Sequence, residues 1–140
     1  MVQIYKPEEQ GWKLLRSEGF MSTIGPLWSR KREQSWEYGL HLEPQHQNPL
    51  GIAHGGMLVT MIDQAFSMIA WSASGRQPCA TIHLDTHFLS PAKAGDFLVA
   101  RVNITRQTST LIFLRGSLIV DDREIMSAQG VMKIIQRSSD

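Results

Sequence analysis

The sequence predicts an α+β fold in which an antiparallel sheet wraps around one long buried helix. Residues 55–74 form the longest apolar segment, and their apolar positions recur at spacings of three and four. Two strand-like runs precede this segment and four follow it, so strands stand on both sides of a single helix. No internal repeat, low-complexity tract or interdomain linker interrupts the chain, and we expect one domain over residues 1–140.

The elements before the helix have distinct signals. Residues 7–19 predict a short helix within an N-terminal helical extension, residues 1–25, because Pro7 and two glutamates suit a helix start. Residues 26–44 predict two strands with a polar turn around residues 31–35. In the second of these strands apolar and polar residues alternate with a period of two.

The long helix ends at a clear signal, since Gly75 suits a C-terminal cap and Pro78 prevents continuation. The helix is apolar on nearly all sides, which predicts that it is buried all round. Four strands bounded by turn residues follow it, and they are expected at residues 80–89, 97–105, 111–120 and 125–135.

Composition narrows the class of protein. Hydrophobic residues make up 42% of the 140 residues and charged residues 19%, as in a globular chain with a sizeable core. The formal net charge of +1 gives no support for a nucleic-acid partner. Cys79 is the only cysteine, so no intramolecular disulfide forms, and we expect a buried or interface thiol rather than a nucleophile.

The expected location follows from two segments. The N-terminus lacks the basic and long apolar regions of a signal peptide. The apolar segment 55–71 contains Thr60, Asp63, Gln64 and Ser67, and it is too short and polar for a membrane span. We therefore expect a cytoplasmic protein with no membrane partner.

Asp63 is the least expected residue of the helix. No basic residue lies between residues 57 and 75, and an unpaired buried charge costs several kcal/mol. A cation from elsewhere in the fold, Arg76 or a histidine, would make the acid structural. Without one, Asp63 predicts a general base or nucleophile that faces a pocket.

Gly55 and Gly56 stand at the start of the helix, directly after His54. The first amide N–H groups of a helix lack internal partners, and glycine lets a ligand approach them closely. The two glycines therefore predict either an oxyanion site or only a tight turn into the helix. His54 would act in catalysis, orient this loop or cap the helix, and Asn48 is a turn residue or an amide that reaches the pocket.

His83, Asp85 and His87 alternate along one predicted strand and therefore share one face. Such a set permits a metal site, but ligands from another element are not evident. An exposed polar face gives the same pattern, and we expect no metal.

Two segments resemble the hotdog-fold acyl-CoA thioesterases of the 4-hydroxybenzoyl-CoA thioesterase superfamily. The first is NPLGIAHGG at residues 48–56, followed by Asp63, and the second is SPAKAGD at residues 90–96. The likeness covers residues 36–133 and resembles the phenylacetate-pathway and thioesterase superfamily member 2 type. It implies a hotdog fold, in which one long central helix is wrapped by a six-stranded antiparallel sheet, here with a short N-terminal helix.

The resemblance also implies a reaction, the hydrolysis of a medium-chain or aromatic acyl-CoA to free acid and coenzyme A, with no further cofactor. Asp63 would be the base or nucleophile, and the Gly56 N–H of a second subunit would polarise the carbonyl, in a homodimer or homotetramer. Asn48 would orient the thioester or the water, and Thr81 would assist the water. From the residues themselves, Met57, Met61, Phe66 and Met68 would form an apolar, deformable acyl pocket or would simply belong to the core.

Coenzyme A contacts are implied at the strand end 88–93 and at the turn 106–111. Lys93 and Arg106 are the cations available for its phosphates, although solvated turn cations would give the same pattern. The full set of implied contact residues is Gly55, Phe88, Ser90, Pro91, Lys93, Arg106, Thr108 and Ser109.

Two other functions compete with hydrolysis. A non-catalytic acyl-CoA-binding hotdog module has no need of the acid and hydroxyl that Asp63 and Thr81 provide. A hotdog dehydratase or hydratase pairs its histidine and acid at other spacings. We therefore favour hydrolysis on the sequence.

Overall fold

The computed structural model describes residues 4–135, and a seven-stranded antiparallel sheet curves around a 19-residue helix there. The helices are α1 (Met21–Ile24) and α2 (Gly55–Ala73), with 3-10 turns at Pro7–Gln10 and Pro44–His46. The strands are β1 (Lys13–Leu14), β2 (Trp28–Arg32), β3 (Ser35–His41), β4 (Cys79–Phe88), β5 (Phe97–Gln107), β6 (Leu111–Val120) and β7 (Arg123–Ile134).

The sheet order is β1-β2-β3-β5-β6-β7-β4, so the ten-residue strand β4 forms one edge. All six predicted strands and the long helix are confirmed. The additional strand, β1, has two residues that pair with β2, and such a short strand leaves no periodic signal in the sequence. The expectation of one domain over residues 1–140 stays a prediction.

The predicted N-terminal helix over residues 7–19 is wrong. A 3-10 turn ends at Gly11, which has φ +86° and donates its N–H to the Pro7 carbonyl. The chain then extends, because Trp12 is buried and residues 13–14 pair with β2. In place of the predicted helical extension 1–25, the described part of that segment contains one 3-10 turn and the four-residue helix α1.

The core lies between the inner face of the sheet and one side of α2. Phe66 is its centre, since β-carbons added at Gly116 and Gly130 would lie 2.8 and 2.9 Å from its ring. These two glycines let β6 and β7 approach the ring closely. The opposite side of α2 is a partly exposed stripe that contains Val59, Asp63 and other residues, so the helix is not buried all round as predicted.

Glu37 and Phe97 hold the N-terminal segment on the outer face of the sheet. The buried Glu37 carboxylate accepts hydrogen bonds from Arg30 Nε at 2.7 Å and Arg101 Nε at 3.0 Å. Trp12 packs edge-on against the Phe97 ring, at 5.2 Å between centroids. A paired buried carboxylate avoids the desolvation penalty of an isolated one.

Ionisation of Tyr38 should lower the stability of the fold at alkaline pH. Burial desolvates its phenolate and raises the pKa from 10.0 to about 12. A group whose pKa rises on folding stabilises the fold below its unfolded pKa and loses that contribution as pH rises through its folded pKa. We expect the free energy of unfolding to fall by about 2–3 kcal/mol between pH 10 and 12.

Denaturant titrations of the wild type and Tyr38→Phe below and above this window measure the effect. The fall should be smaller in Tyr38→Phe, because it has no phenol to ionise. An equal fall in the two proteins would contradict the assignment to Tyr38.

Candidate active site

His54 caps the start of α2. Its Nδ1 atom accepts the Gly56 N–H at 2.9 Å, and its carbonyl accepts the N–H groups of Met57 and Leu58. Of the roles left open for His54, the structure therefore shows the helix cap. This hydrogen bond requires an unprotonated Nδ1.

The backbone N–H groups of Gly55 and Gly56 differ in whether they already donate a hydrogen bond. The Gly56 N–H is occupied by His54, whereas no acceptor within residues 4–135 contacts the Gly55 N–H. Gly55 also lines a cavity of about 400 Å³, and Gly56 does not. The free donor of the first turn is thus Gly55, one residue before the Gly56 that the resemblance implied.

The cavity beside Gly55 combines apolar walls with few polar groups, as ligand sites do. Asn48 lines it, and its Oδ1 accepts the N–H groups of Leu50 at 2.9 Å and Ile52 at 3.4 Å. The Nδ2 group of Asn48 is thereby left as the donor available to a ligand. The other lining residues are Ile52, Ala53, Leu58, Phe88, Leu89, Ser90, Pro91 and Ala92.

Asp63 is paired with a hydroxyl. Thr81 Oγ1 donates to Asp63 Oδ1 at 2.6 Å, from a strand residue 18 positions away. None of the ion pairs within residues 4–135 includes Asp63, and Arg76 lies instead over the Trp71 ring. The structural alternative for this acid, a cationic partner, is therefore absent from the described residues.

A bulge in β4 follows Thr81 directly. Thr81 pairs with Met132 of β7 and His83 with Val131, so Ile82 is the extra residue. Bulges re-aim neighbouring side chains and are frequent beside active sites. The same register places His83, Asp85 and His87 on the outer face of the sheet, and no cluster of three or more potential ligands in the described part of the chain is arranged for a metal ion.

One chain does not bring the donor and the acid together. Asp63 follows Gly55 by eight residues of α2, which corresponds to about 12 Å along the helix axis. A thioester that contacts the Gly55 N–H therefore lies beyond direct reach of Asp63 in the same chain.

The implied coenzyme A contacts form two groups. Phe88, Ser90 and Pro91 line the cavity, although the Ser90 hydroxyl already donates to the Glu124 carbonyl at 2.7 Å. Lys93 follows in the same turn, and its backbone N–H bonds to Asp96.

The second group, Arg106, Thr108 and Ser109, lies at the turn between β5 and β6. Gln107 of this turn bonds to the Ala73 carbonyl at the far end of α2, about 27 Å from Gly55 along the helix. The Thr108 hydroxyl accepts the N–H groups of Thr110 and Leu111. Within one chain, the two groups therefore stand at opposite ends of the helix.

Of the two roles left open for Met57, Met61, Phe66 and Met68, an acyl pocket or the core, the structure shows the core for the first three. Met57, Met61 and Phe66 are 7%, 0% and 1% exposed and belong to the packed core. Met68 is partly buried against that core. Their helical spacing indicated apolar positions correctly but could not separate a core side from a pocket side.

Two residues outside the cavity lining hydrogen-bond to the segments that form or adjoin its walls, and the sequence analysis did not identify them. The buried His46 bonds through its ring to the Ile24 carbonyl and the Glu43 N–H, and its own carbonyl accepts the His54 N–H. Arg123 donates to the Pro91 carbonyl and to Ser90 Oγ. These partners are mostly more than 20 residues away, beyond the range of local patterns.

Residues 50–127 match the family model described as the thioesterase superfamily. This chain belongs to the thioesterase superfamily. It is accordingly a hydrolase that acts on thioester bonds, and the matched region includes the Thr81–Asp63 pair and Gly55.

Individual members of the thioesterase superfamily show how far the likeness extends. Acyl-coenzyme A thioesterase 13 of Mus musculus is 31% identical over 91 residues, which cover 65% of each chain. Zebrafish thioesterase superfamily member 2 has a TM-score of 0.77 at 20% identity and covers 85% of this chain and 88% of its own. A thioesterase protein of Streptococcus pneumoniae with coenzyme A has a TM-score of 0.76 at 21% identity, and the likeness covers 84% of this chain and 93% of that one. The hotdog fold implied by the two segments is confirmed.

No helix among residues 4–135 of this thioesterase is both long and apolar enough to cross a membrane.

Proposed function

We propose that this thioesterase hydrolyses an acyl-CoA, with a medium-chain or aromatic acyl group, to the free acid and coenzyme A. The observation that carries the proposal is the 2.6 Å hydrogen bond from Thr81 to Asp63 on the partly exposed stripe of α2. A carboxylate held by a hydroxyl, without a cation, suits a base better than a structural ion pair. The relative named acyl-coenzyme A thioesterase 13 supports the substrate class.

In this mechanism Asp63 acts on water or on the thioester itself. Thr81 holds Oδ1, and Oδ2 accepts a proton from the water that attacks the carbonyl carbon. The carbon–sulfur bond then breaks, and the thiolate takes the proton, giving acid and thiol. In the nucleophilic variant the carboxylate attacks the carbonyl carbon first, and the carbon–sulfur bond breaks to release the coenzyme A thiolate. Water then hydrolyses the resulting anhydride to the free acid and the Asp63 carboxylate, and the thiolate takes a proton from that water.

A backbone donor stabilises the charge that develops on the carbonyl oxygen. Gly55 lines the cavity at the positive end of α2, and its N–H has no acceptor among residues 4–135. We therefore assign the polarising role to Gly55 in place of Gly56. Asn48 Nδ2 is the second available donor in the same cavity.

A second copy of the chain brings the donor and the acid together. Their separation of about 12 Å within one chain is removed if two copies of α2 run antiparallel, with Gly55 of one beside Asp63 of the other. The edge strand β4 offers unpaired backbone groups for such an arrangement. Ile82 and Leu89 add apolar area at this edge, since each is more than half exposed.

Light scattering coupled to gel filtration should give a dimer or tetramer of the 15.8 kDa chain. Ile82→Lys should shift the mass toward the monomer and lower activity, because it places a charge at the apolar edge. The matched control His83→Lys lies next to it on the outer face and should keep the mass. A strictly monomeric wild type with full activity would contradict the shared site.

A panel of acyl-CoAs with a thiol-detecting reagent tests the reaction itself. We expect release of free coenzyme A without added cofactor and with no loss after treatment with a chelator. Binding of acyl-CoA without thiol release would favour the non-catalytic module. Turnover of enoyl-CoA to a hydroxyacyl-CoA would favour a hydratase, and either result would overturn the proposal.

A further inference from the structure

Phe88 forms an aromatic wall of the cavity that Gly55 also lines. It pairs with the buried Met126 of β7, so its side chain points to the inner side of the sheet. Its ring lies 3.3 Å from the position that a β-carbon at Gly55 would occupy. Both residues belong to the same chain, so this contact does not depend on a second copy.

The short distance between Phe88 and Gly55 determines which part of a bound thioester Phe88 contacts. An oxygen that accepts the Gly55 N–H lies about 2.9 Å from the nitrogen, and the carbonyl carbon lies about 1.2 Å beyond it. The two atoms bonded to that carbon, the α-carbon of the acyl group and the sulfur, therefore stand next to the cavity wall. Phe88 is 56% exposed in the single chain, so part of its ring is free for such a contact.

The surrounding walls are also apolar. Leu58, Ile52, Leu89 and Ala92 line the same cavity, and the polar groups are confined to Asn48, Ser90 and the backbone. An apolar wall distinguishes substrates by volume, where one methyl group is worth about 10–200-fold. The substituent of the carbonyl carbon that packs against Phe88 is therefore discriminated by its size.

We propose that Phe88 is a specificity-determining residue that disfavours acyl groups branched at the α-carbon. This inference rests on the proposed function and adds to it the shape of the acyl group. A linear α-carbon packs beside the exposed part of the Phe88 ring, whereas an added α-methyl group meets the ring. The same crowding explains a glycine at position 55, since an alanine there would press on the ring at 3.3 Å.

The test compares kcat/KM for octanoyl-CoA and 2-methyloctanoyl-CoA in four proteins: the wild type, Phe88→Ala, Phe88→Leu and Phe113→Ala. Phe113 is the matched control, because it pairs with Val131 of β7 and both lie on the outer face of the sheet. We expect the wild type to prefer the linear substrate by about tenfold or more. Phe88→Ala should reduce the preference to about threefold or less, with Phe88→Leu between them and Phe113→Ala unchanged.

Three outcomes would overturn the inference. The first is a wild type with no preference for the linear substrate, and the second is a Phe88→Ala protein that keeps the wild-type preference. The third is a Phe88→Ala protein whose KM rises equally for both substrates, which would place Phe88 beside the sulfur and not beside the acyl α-carbon. Hydrolysis that continues in any of these cases leaves the proposed function standing. If the wild type hydrolyses neither substrate, the proposed function fails, and the same comparison made on dissociation constants still decides the role of Phe88.

Discussion

Replacement of Asp63 by alanine should lower kcat by about 10²–10⁴-fold, the usual loss when a general base is removed. The stability should hardly change, because Asp63 lies on the partly exposed stripe of α2 and, among residues 4–135, its side chain bonds to Thr81 alone. Thr81→Val removes that hydrogen bond, whereas Thr81→Ser keeps the hydroxyl and should retain most of the activity. Steady-state kinetics with an acyl-CoA measure all three variants.

The neighbouring Gln64 provides the matched control, since Gln64→Ala changes the same side of the helix without touching the acid. It should keep wild-type kcat. An Asp63→Ala protein with wild-type kcat would contradict the role of Asp63 whatever the other variants show.

The same reasoning identifies which glycine is the donor. Gly55 is the first helical residue, where proline is well tolerated, and His54 already has the extended backbone that precedes a proline. Gly55→Pro therefore removes the N–H and keeps the helix start, and it should cost about 10²–10³-fold in kcat. It also places a β-carbon 3.3 Å from the Phe88 ring, so Gly55→Ala, which adds the same β-carbon and keeps the N–H, is the matched control and should cost far less. Gly56→Ala keeps both N–H groups and should cost far less.

Mixing the two inactive proteins tests whether the site is shared. In dimers formed at random from equal amounts of Asp63→Ala and Gly55→Pro, half contain one copy of each. One site of each such dimer then combines an intact donor with an intact acid, so about a quarter of the wild-type activity should return. Activity that stays at the level of the separate proteins would place both residues within one chain.

Phe66→Ala should destabilise the fold by about 3–5 kcal/mol, the largest effect that we expect in the core. The ring is 1% exposed and fills the space between Gly116 and Gly130, which have no side chains to close the cavity. Urea titration measures the loss of unfolding free energy. Phe20→Ala is the control, since Phe20 is 65% exposed and should lie within about 0.5 kcal/mol of the wild type.

A paired substitution shows that the ring and the glycines act together. Gly130→Ala places its β-carbon 2.9 Å from the Phe66 ring and 3.1 Å from the His83 carbonyl, which should cost about 1–3 kcal/mol. In a Phe66→Leu background the same change should cost less, because the smaller side chain relieves the first contact. Strictly additive losses would contradict the packing described for this centre.

Local periodicity accounts for most of what could be predicted. The strand runs and the long helix have apolar spacings that identify them, and their observed bounds differ from the predicted ones by two residues or fewer. The failure at residues 7–19 has a physical cause: favourable helix ends were outweighed by the burial of Trp12 and by pairing with β2. Helix propensity is a weak preference that tertiary contacts override.

The sequence by itself determined the hotdog order of elements, the two family segments, and an acid in the helix with no cation nearby. Only the tertiary structure decided that β4 is a sheet edge, that a bulge accompanies the Thr81 hydrogen bond to Asp63, and that His54 occupies the Gly56 N–H while the Gly55 N–H has no acceptor in the described part of the chain. The physical reason is the separation along the chain of the residues that determine each feature. Periodicity depends on neighbours along the chain, whereas strand order, register and side-chain hydrogen bonds depend on groups that meet only when the sheet closes around the helix.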